Sequence, residues 1–320
     1  MLRALANNWM LPGIGLACLL GFTLPAAGDM LSRYLAVMIA ALMLMMGAGI
    51  GFRRFSSQIG AWRPAAFVMA FSYLVAPLLA WLLARAFFSA GDQLFTGLVL
   101  IGATSTTLST CVIFTRLAGG DEALALWLSV CSSLVGALLS PLILYLMLGE
   151  ALSAPVGLLI RKLMVVLFAP LLAGMLLRAL LGEPRVAPLG NLLTHSCSLI
   201  VLAVIMVAVA KGREVLSGPE GLAIAAATGA YHLALLLAWR VTVPALGFSP
   251  EQRKATLFCA TEKTLQIPAY LAISVLGTPA AAVAPVVHHV VELVADSLIV
   301  SYYNSRDKHP SGPAPEGDAN

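Results

Sequence analysis

Long apolar runs, each about the length that crosses a bilayer, follow one another along almost the whole chain. A transmembrane helix needs about 20 mostly apolar residues, and cutting the chain at its charges, prolines and glycines gives ten such runs. The pattern therefore predicts an all-α membrane protein with ten transmembrane helices. The ten predicted spans are 9–26, 32–51, 63–86, 93–115, 122–147, 161–181, 189–210, 219–243, 253–276 and 280–303.

The composition supports this class. Of the 320 residues, 60% are apolar and 11% are charged, whereas soluble chains carry about 45–50% apolar and about 25% charged residues. A soluble enzyme, a disordered chain and a nucleic-acid binder are excluded, and the predicted surroundings are the lipid bilayer. The five cysteines lie far apart with no C-x-x-C pair, so they predict neither a disulfide framework nor a zinc site.

The first span has a second interpretation. Arg3, an apolar run and Pro25–Gly28 resemble a signal peptide with its cleavage site. We favour a retained helix, because its removal would leave an odd number of spans and break the repeat described below.

The positive charges predict an orientation. With a cytoplasmic amino terminus, the inner loops hold twelve of the nineteen lysines and arginines and the outer loops hold six, as the positive-inside rule requires. We therefore expect a multi-pass protein of the plasma (inner) membrane with both termini cytoplasmic. The transmembrane domain covers 1–304, and 305–320, rich in proline, glycine and charge, is predicted to be a disordered cytoplasmic tail.

Two polar islands suggest an internal repeat. Ala103–Ser109 in span four and Ala260–Gln266 in span nine both read A-T-x-x-T-L-polar, 157 residues apart. Each repeat, about 1–150 and 155–304, contains five spans, so the second repeat enters the membrane from the side opposite to the first and has inverted topology. In transporters built this way the site lies near the midplane, where discontinuous helices, here four and nine, meet. The hydroxyls of the first island and Pro268 after the second favour such interruptions. Alternatively, the hydroxyls only hold helices together.

Glu262 is the main candidate for a functional residue, because an ionisable group at membrane depth costs about 2.5 kcal/mol or more and by default marks a site. Its carboxylate and the nearby hydroxyl and carbonyl oxygens are the hard ligands that an alkali cation takes. No enzymatic cofactor is expected, and a sodium ion is the candidate ligand of Glu262 and Gln266. The predicted cation-binding residues are Ser109, Thr110, Ser129, Glu262, Leu265 and Gln266, with Ser132 and Ser133 completing a shell.

Lys263 leaves several alternatives open. It can form a self-neutralising pair with Glu262, face an anionic substrate, or occupy the place of a sodium ion. The last alternative makes transport sodium-independent and open to proton coupling, because a buried lysine can release a proton.

Span ten carries a polar stripe at helical spacing. His288, His289, Glu292 and Asp296 lie largely on one helical face. We interpret them as a proton-handling or substrate-facing stripe; metal ligation by His288 and Glu292, or plain hydrogen-bonded packing, are the alternatives. The predicted substrate or coupling residues are Thr106, Thr107, Lys263, Thr264, His289 and Glu292. His195 and His232 are expected to be core residues.

Two further features concern helix packing and helix shape. Met43–Met46 with Gly47, Gly49 and Gly51 predict close helix packing in span two. Pro77 predicts a kink in span three.

Several of these motifs resemble a known family. The run Thr115–Leu124 (TRLAGGDEAL), the segment from Ser132-Ser133-Leu134 to Ser140-Pro141-Leu142, and Glu262 followed by Gln266 resemble the bile acid:sodium symporter superfamily. The nearest branch is the sodium bile acid symporter-like group related to the seventh member of solute carrier family ten.

The resemblance implies a ten-helix fold of two inverted five-helix repeats, with helices four and nine crossing at two sodium sites. It implies that Glu262 bridges both ions, that Gln266 and the Leu265 carbonyl serve one, and that Thr110 or Cys111 with Ser129 serve the other. Substrates in the superfamily are organic anions. The sequence departs from the family pattern at four positions: Ser72 for a glutamine, Val112 for an asparagine, Ala125 for a serine, and Lys263 for an uncharged residue.

The sequence thus predicts a secondary active transporter of a small organic anion, coupled to sodium or protons, with alternating access about a midplane site. The alternative is a sodium-independent protein or a non-transporting regulator of cation (calcium) homeostasis. An intramembrane enzyme is not expected, because the sequence offers no H-E-x-x-H motif, no paired intramembrane aspartates and no Ser/His dyad.

Overall fold

The computed structural model describes residues 10–50, 58, 60–149 and 154–308. Within these residues the protein is 87% helix and has no strands. The main helices are α1 (Met10–Thr23), α2 (Pro25–Ser32), α3 (Leu35–Gly49), α4 (Trp62–Phe87), α5 (Gln93–Ala103), α6 (Thr110–Leu117), α7 (Glu122–Leu148), α8 (Val156–Leu181), α9 (Gly190–Ser217), α10 (Pro219–Thr242), α11 (Pro250–Thr261), α12 (Gln266–Tyr270) and α13 (Val283–Lys308).

The helices have the lengths and composition of membrane spans. In the described ranges, six are long and apolar enough to cross a bilayer, or seven if α1 and α2 form one bent span. The apolar helices α3 and α5 are shorter, at 15 and 11 residues. The prediction of an all-α membrane protein is thus confirmed, whereas the ten-span count and the inverted repeat stay predictions.

The first predicted span differs from one straight helix. The chain bends by 101° between α1 and α2, and Pro25 stands at the first helical position after the bend. Proline is favoured there because its fixed φ suits a helix start and its missing N–H would be unbonded anyway. The segment expected to be a loop before span two is therefore largely helical. Residues 1–9, which include Arg3 and the start of the signal-peptide alternative, lie outside the described residues.

Predicted spans four and nine are both interrupted. In span four, α5 ends at Ala103 and α6 begins at Thr110. In span nine, α11 ends at Thr261 and α12 begins at Gln266. The two interruptions touch, because the Thr264 N–H donates a 3.0 Å hydrogen bond to the Ser105 carbonyl. Non-helical backbone at membrane depth is tolerated when it lies inside protein, and residues 104–107 and 262–265 are buried.

Other boundaries differ by a few residues. The helix α8 begins at Val156, five residues before predicted span six, and turns at Gly182 with φ +80°, a conformation that glycine adopts without steric cost. The helix α13 continues to Lys308, so the expected disordered tail does not begin at Ser305. The rest of that tail, together with Arg53, Arg54 and Gly51, lies outside the described residues.

Close packing of α3 on α8 explains one of the glycines in span two. A Cβ on Gly47 would overlap the Leu171 carbonyl, and a Cβ on Gly174 would overlap the Leu44 carbonyl in return. By contrast, a Cβ on Gly49 would meet nothing within 4 Å. Close packing is therefore confirmed for Gly47 and is wrong for Gly49, which lies at the last position of α3.

We expect Gly47→Ala to lower the free energy of unfolding by about 1–3 kcal/mol, because the added methyl group must push two helix backbones apart. The matched control, Gly49→Ala, adds the same group in open space and should change little. Thermal unfolding of both variants in detergent measures the difference. Equal unfolding temperatures would show that α3 and α8 do not approach as closely as described.

Candidate functional site

Glu262 lies at the centre of the interrupted region. It follows the last residue of α11 in extended backbone (φ −74°, ψ 141°), and its side chain is fully buried. Its Oε2 accepts hydrogen bonds from Thr107 Oγ1 at 2.8 Å and from Thr110 Oγ1. A carboxylate from one interrupted segment is therefore held by two hydroxyls from the other.

The Glu262 carboxylate and its neighbouring hydroxyls have more oxygen atoms close together than hydroxyl protons to form hydrogen bonds between them. The Thr107 and Thr110 hydroxyl oxygens lie 2.5 Å apart while both also face Oε2, and each hydroxyl has one proton to donate. The other carboxylate oxygen, Oε1, has no hydrogen-bond partner among the described residues. A buried cluster of oxygens with an unpartnered carboxylate oxygen is chemically suited to a hard cation such as sodium.

Ser129 stands behind this cluster rather than in it. Its hydroxyl donates to the Ala125 carbonyl at 2.6 Å and lies 2.9 Å from Cys111 Sγ. Cys111 Sγ in turn lies 2.8 Å from the Thr107 carbonyl. Ser129 on α7 thus contacts the start of α6 at Cys111, the residue after Thr110.

Of the remaining predicted cation ligands, Gln266 and Ser109 line the cavities described below, whereas Leu265 is buried and lines neither. Gln266 Oε1 accepts a 2.5 Å hydrogen bond from Thr264 Oγ1, and the Leu265 carbonyl accepts the Ala269 N–H at 3.2 Å in the first turn of α12. Ser109 is exposed and lines a cavity. Of the predicted cation-binding residues, Thr110 is the one in direct contact with Glu262, and Thr107, predicted for substrate or coupling, joins it there.

Lys263 points away from Glu262. Its side chain is 1% exposed, and its Nζ lies 3.4 Å from the Ser72 carbonyl and 3.5 Å from the Thr104 carbonyl. Its backbone N–H donates to Glu292 Oε2 at 2.7 Å. The self-neutralising pair with Glu262 is therefore not formed, and Lys263 is not among the residues that line the two cavities described below.

The stripe on α13 packs inside the protein. Glu292 Oε1 lies 3.1 Å from His289 Nδ1, and its Oε2 lies 3.6 Å from His288 Nδ1. The His288 ring packs at 5.4 Å and 5.6 Å centroid distance against Tyr231 and His232 of α10. Neither His289 nor Glu292 lines the two cavities. In the part of the chain that the structure describes, no three His, Cys, Asp or Glu residues are grouped to hold a metal ion.

Asp296, one turn beyond Glu292 on α13, is fully buried. Neither of its carboxylate oxygens has a hydrogen-bond partner in the described ranges. It lies near enough to Glu262 and Glu292 to interact with both carboxylates electrostatically. The buried centre therefore contains three acidic side chains.

Two cavities reach the interruptions. The smaller is lined by Thr106, Thr107, Thr264 and Gln266 with apolar side chains of α3 and α8. The larger is an open cleft. Its polar lining residues at the interruptions are Ser109, Thr110 and Gln266, and those near the α8–α9 turn and the start of α7 are Arg178, Glu183 and Glu122. An open path thus leads from the interruptions to the end of the bundle that carries Arg178.

Arg178 does not offer an unpaired charge to this cleft. Its Nη1 donates to the Ala48 and Gly49 carbonyls at 2.8 Å and 3.0 Å, and its Nη2 lies 2.6 Å from Glu183 Oε1. The guanidinium therefore caps the carboxyl end of α3, where a positive charge interacts favourably with the helix dipole.

Sequence reasoning did not identify Tyr73 or Thr104, and it named Ser72 only as a departure from the family pattern. The carbonyls of Ser72 and Thr104 contact Lys263, and the Tyr73 hydroxyl donates to the Ser132 carbonyl at 2.5 Å while the Thr106 N–H donates to Ser132 Oγ at 3.2 Å. Every residue has a backbone carbonyl, so the residue type does not show which carbonyl contacts another group. The proline at position 77, which disturbs the helix beside Ser72, was the available signal.

Residues 8–305 match the SBF-like CPA transporter family. The chain is 28% identical over 326 aligned positions to the probable sodium/metabolite cotransporter BASS4, chloroplastic, of Arabidopsis thaliana, covering 94% of this chain and 73% of that protein. It is 26% identical over 290 positions to the protein of the same name from Oryza sativa subsp. indica, covering 83% and 68%. It is also 31% identical over 107 positions to sodium/bile acid cotransporter 7 of Danio rerio, covering 33% and 32%.

These similarities confirm the resemblance to the bile acid:sodium symporter superfamily and the expectation of a transporter rather than an enzyme. They also agree with the apolar helices of the fold, which make the chain a multi-pass membrane protein. The chain belongs to the SBF-like CPA transporter family.

Proposed function

We propose that this protein is a sodium-coupled cotransporter of a small organic anion and that Glu262 anchors the sodium ion. The observation that carries the proposal is the contact between the two interruptions, where Glu262 takes hydroxyls from Thr107 and Thr110 and keeps Oε1 without a partner. A sodium ion on Oε1 would join segments from both interrupted helices and hold them in one arrangement.

The charge balance of the buried centre favours a bound cation. Among the described residues, Glu262, Glu292 and Asp296 bring three carboxyl groups to this centre and Lys263 brings one amino group. Uncompensated charge inside a membrane protein is costly. Mobile cations or protons must therefore offset the remaining negative charge, and the oxygen-rich surroundings of Glu262 suit sodium. The relatives named above are sodium cotransporters by name, which supports the same ion.

We infer a fold of ten spans in two inverted five-helix repeats, about 1–150 and 155–304, with helices four and nine crossing near the midplane. The matched A-T-x-x-T-L sequences, the interruption of both helices and the Thr264–Ser105 backbone hydrogen bond support this arrangement. If both termini are cytoplasmic in a plasma membrane, the cleft beside Arg178 opens to the cytoplasm. Alternating access would then close this cleft and open the opposite side.

The lining of the cleft supports an organic anion as substrate. Apolar residues, among them side chains of α3, α6 and α9, form most of the wall, which suits a hydrocarbon body. Ser109 and Thr110 lie at the amino-terminal end of α6 and face the cleft, and this end of a helix attracts negative charge. The names of the relatives, metabolite and bile acid cotransporters, agree with this class.

The test is the unfolding temperature of purified protein in sodium chloride and in choline chloride at equal ionic strength. A ligand of the folded state at one hundred times its dissociation constant stabilises by about 2.7 kcal/mol, so sodium should raise the unfolding temperature. Organic anions that raise it further only with sodium are then tested for uptake into proteoliposomes. Uptake driven by a proton gradient with no sodium effect would replace sodium coupling by proton coupling.

A further inference from the structure

The carbonyl of Ser72 is left without its usual helical partner. Residues Phe71–Val75 of α4 form a π-helical turn, in which the Ala76 N–H donates to the Phe71 carbonyl. The next backbone position is Pro77, which has no N–H. Both donors that a helix would offer to Ser72 are therefore unavailable, and Lys263 Nζ lies 3.4 Å from its oxygen.

The carbonyl of Thr104 is free for a related reason. The helix α5 ends at Ala103, and Thr104 continues in extended backbone with φ −96° and ψ 164°, so its carbonyl lies beyond the helical ladder. It stands at the carboxyl end of α5, where the helix dipole favours positive charge. Lys263 Nζ lies 3.5 Å from this oxygen. Two carbonyls from different helices thus face one buried amino group.

These surroundings are those of a bound cation rather than of an ordinary ion pair. An ammonium group has three donors and no acceptor, and the hydrogen-bond acceptors that Nζ meets here are the carbonyl oxygens of Ser72 and Thr104. No carboxylate among the described residues forms an ion pair with Nζ. Glu292, which interacts with the ammonium group electrostatically, accepts the backbone N–H of Lys263. The side chain belongs to neither cavity, so it does not face the substrate path.

We propose that the ammonium group of Lys263 is a tethered cation, which permanently fills a cation position formed by the Ser72 and Thr104 carbonyls beside the Glu262 site. The inference rests on the proposed function and adds the number of sodium ions that each chain binds. Because this positive charge stays with the protein, one sodium ion binds per chain, at Glu262. Without the lysine side chain, the carbonyl position takes a second small cation from solution.

The experiment uses Lys263→Ala, which removes the charge and leaves space, with Lys263→Met as the matched control that removes the charge but fills the space. Equilibrium binding of radioactive sodium to purified protein should give one ion per chain for the unmodified protein and two for Lys263→Ala. Methylammonium chloride should raise the unfolding temperature of Lys263→Ala and return its sodium stoichiometry to one. It should affect neither the unmodified protein nor Lys263→Met.

Each contrary result has a distinct meaning. Two sodium ions on the unmodified protein, or one on folded Lys263→Ala with no response to methylammonium, would overturn the tethered cation and leave sodium coupling intact. No sodium bound to the unmodified protein would overturn the proposed function itself. If Lys263→Ala fails to fold in sodium chloride, methylammonium chloride during purification should restore folded protein, and failure of that rescue would also overturn the inference.

Discussion

Glu262→Gln is expected to abolish the stabilisation of this protein by sodium. The substitution keeps the size of the side chain and one carbonyl oxygen, but it removes the negative charge that holds the ion and places an amide –NH2 among the Thr107 and Thr110 hydroxyls. We expect the affinity for sodium to fall by at least about 100-fold, which corresponds to about 2.8 kcal/mol of binding free energy. The difference in unfolding temperature between sodium and choline chloride measures this loss.

The matched control is Glu251→Gln. Glu251 lies in the first turn of α11, the helix that ends before Glu262, and its side chain is exposed. The same chemical change at this position should leave the sodium response unaltered. A full sodium response in Glu262→Gln would show that the ion binds elsewhere, and a loss in both variants would point to a general effect on α11.

Glu292→Ala is expected to destabilise the fold even without sodium. The substitution removes the acceptor of the Lys263 N–H, at 2.7 Å, and the contact with His289 Nδ1, at 3.1 Å. Removing one partner of a buried, hydrogen-bonded charged pair typically lowers stability by about 2–5 kcal/mol. Glu292→Gln keeps an amide oxygen for the Lys263 N–H and should cost much less. Unfolding temperatures in choline chloride separate this effect from ion binding.

Glu214→Ala serves as the control for this series, because Glu214 is exposed on α9, and it should change the unfolding temperature little. If Glu292→Ala unfolds at the same temperature as Glu292→Gln, then the Glu292 carboxylate does not support the backbone at Lys263. The polar residues of α13 would then have a proton-handling role rather than a structural one.

The interruptions of spans four and nine were predictable from the sequence. Polar residues between Ala103 and Thr110 and between Ala260 and Gln266 break the apolar pattern at a depth where a continuous helix would expose them to lipid. Pro268 adds a missing backbone donor after the second segment. The structure ends helices at Ala103 and Thr261 accordingly. The pattern of polar residues along the chain thus predicted the position of the two interruptions, because only buried backbone can be irregular in a membrane.

The direction of the Lys263 side chain was not predictable in the same way. It depends on a π-helical turn at Phe71–Val75, on Pro77 and on the end of α5, all distant in sequence from Lys263. The sequence indicated a kink at Pro77, but the carbonyl that a kink frees becomes a ligand only when another helix brings a donor to it. Three alternatives for Lys263 therefore stayed open until the packing of α4 and α5 was known.

The stripe on α13 shows a second limit. Helical periodicity correctly placed His288, Glu292 and Asp296 on one buried side of the helix, as their burial shows. Periodicity does not say which neighbour that side meets, and the structure packs His288 against Tyr231 and His232 of α10 instead of against a cavity. His232, expected to be a core residue, is buried there, whereas the same expectation is wrong for His195, which is exposed.

The proposed function depends on a cation that binds at Glu262, where the interruptions of spans four and nine contact each other. Cryo-electron microscopy maps of the protein in sodium chloride and in choline chloride test this directly. We expect the sodium map to show added density against Glu262 Oε1, beside the Thr107 and Thr110 hydroxyls, and the choline map to lack it. Identical maps at this carboxylate, or sodium-dependent density confined to another part of the bundle, would contradict the account.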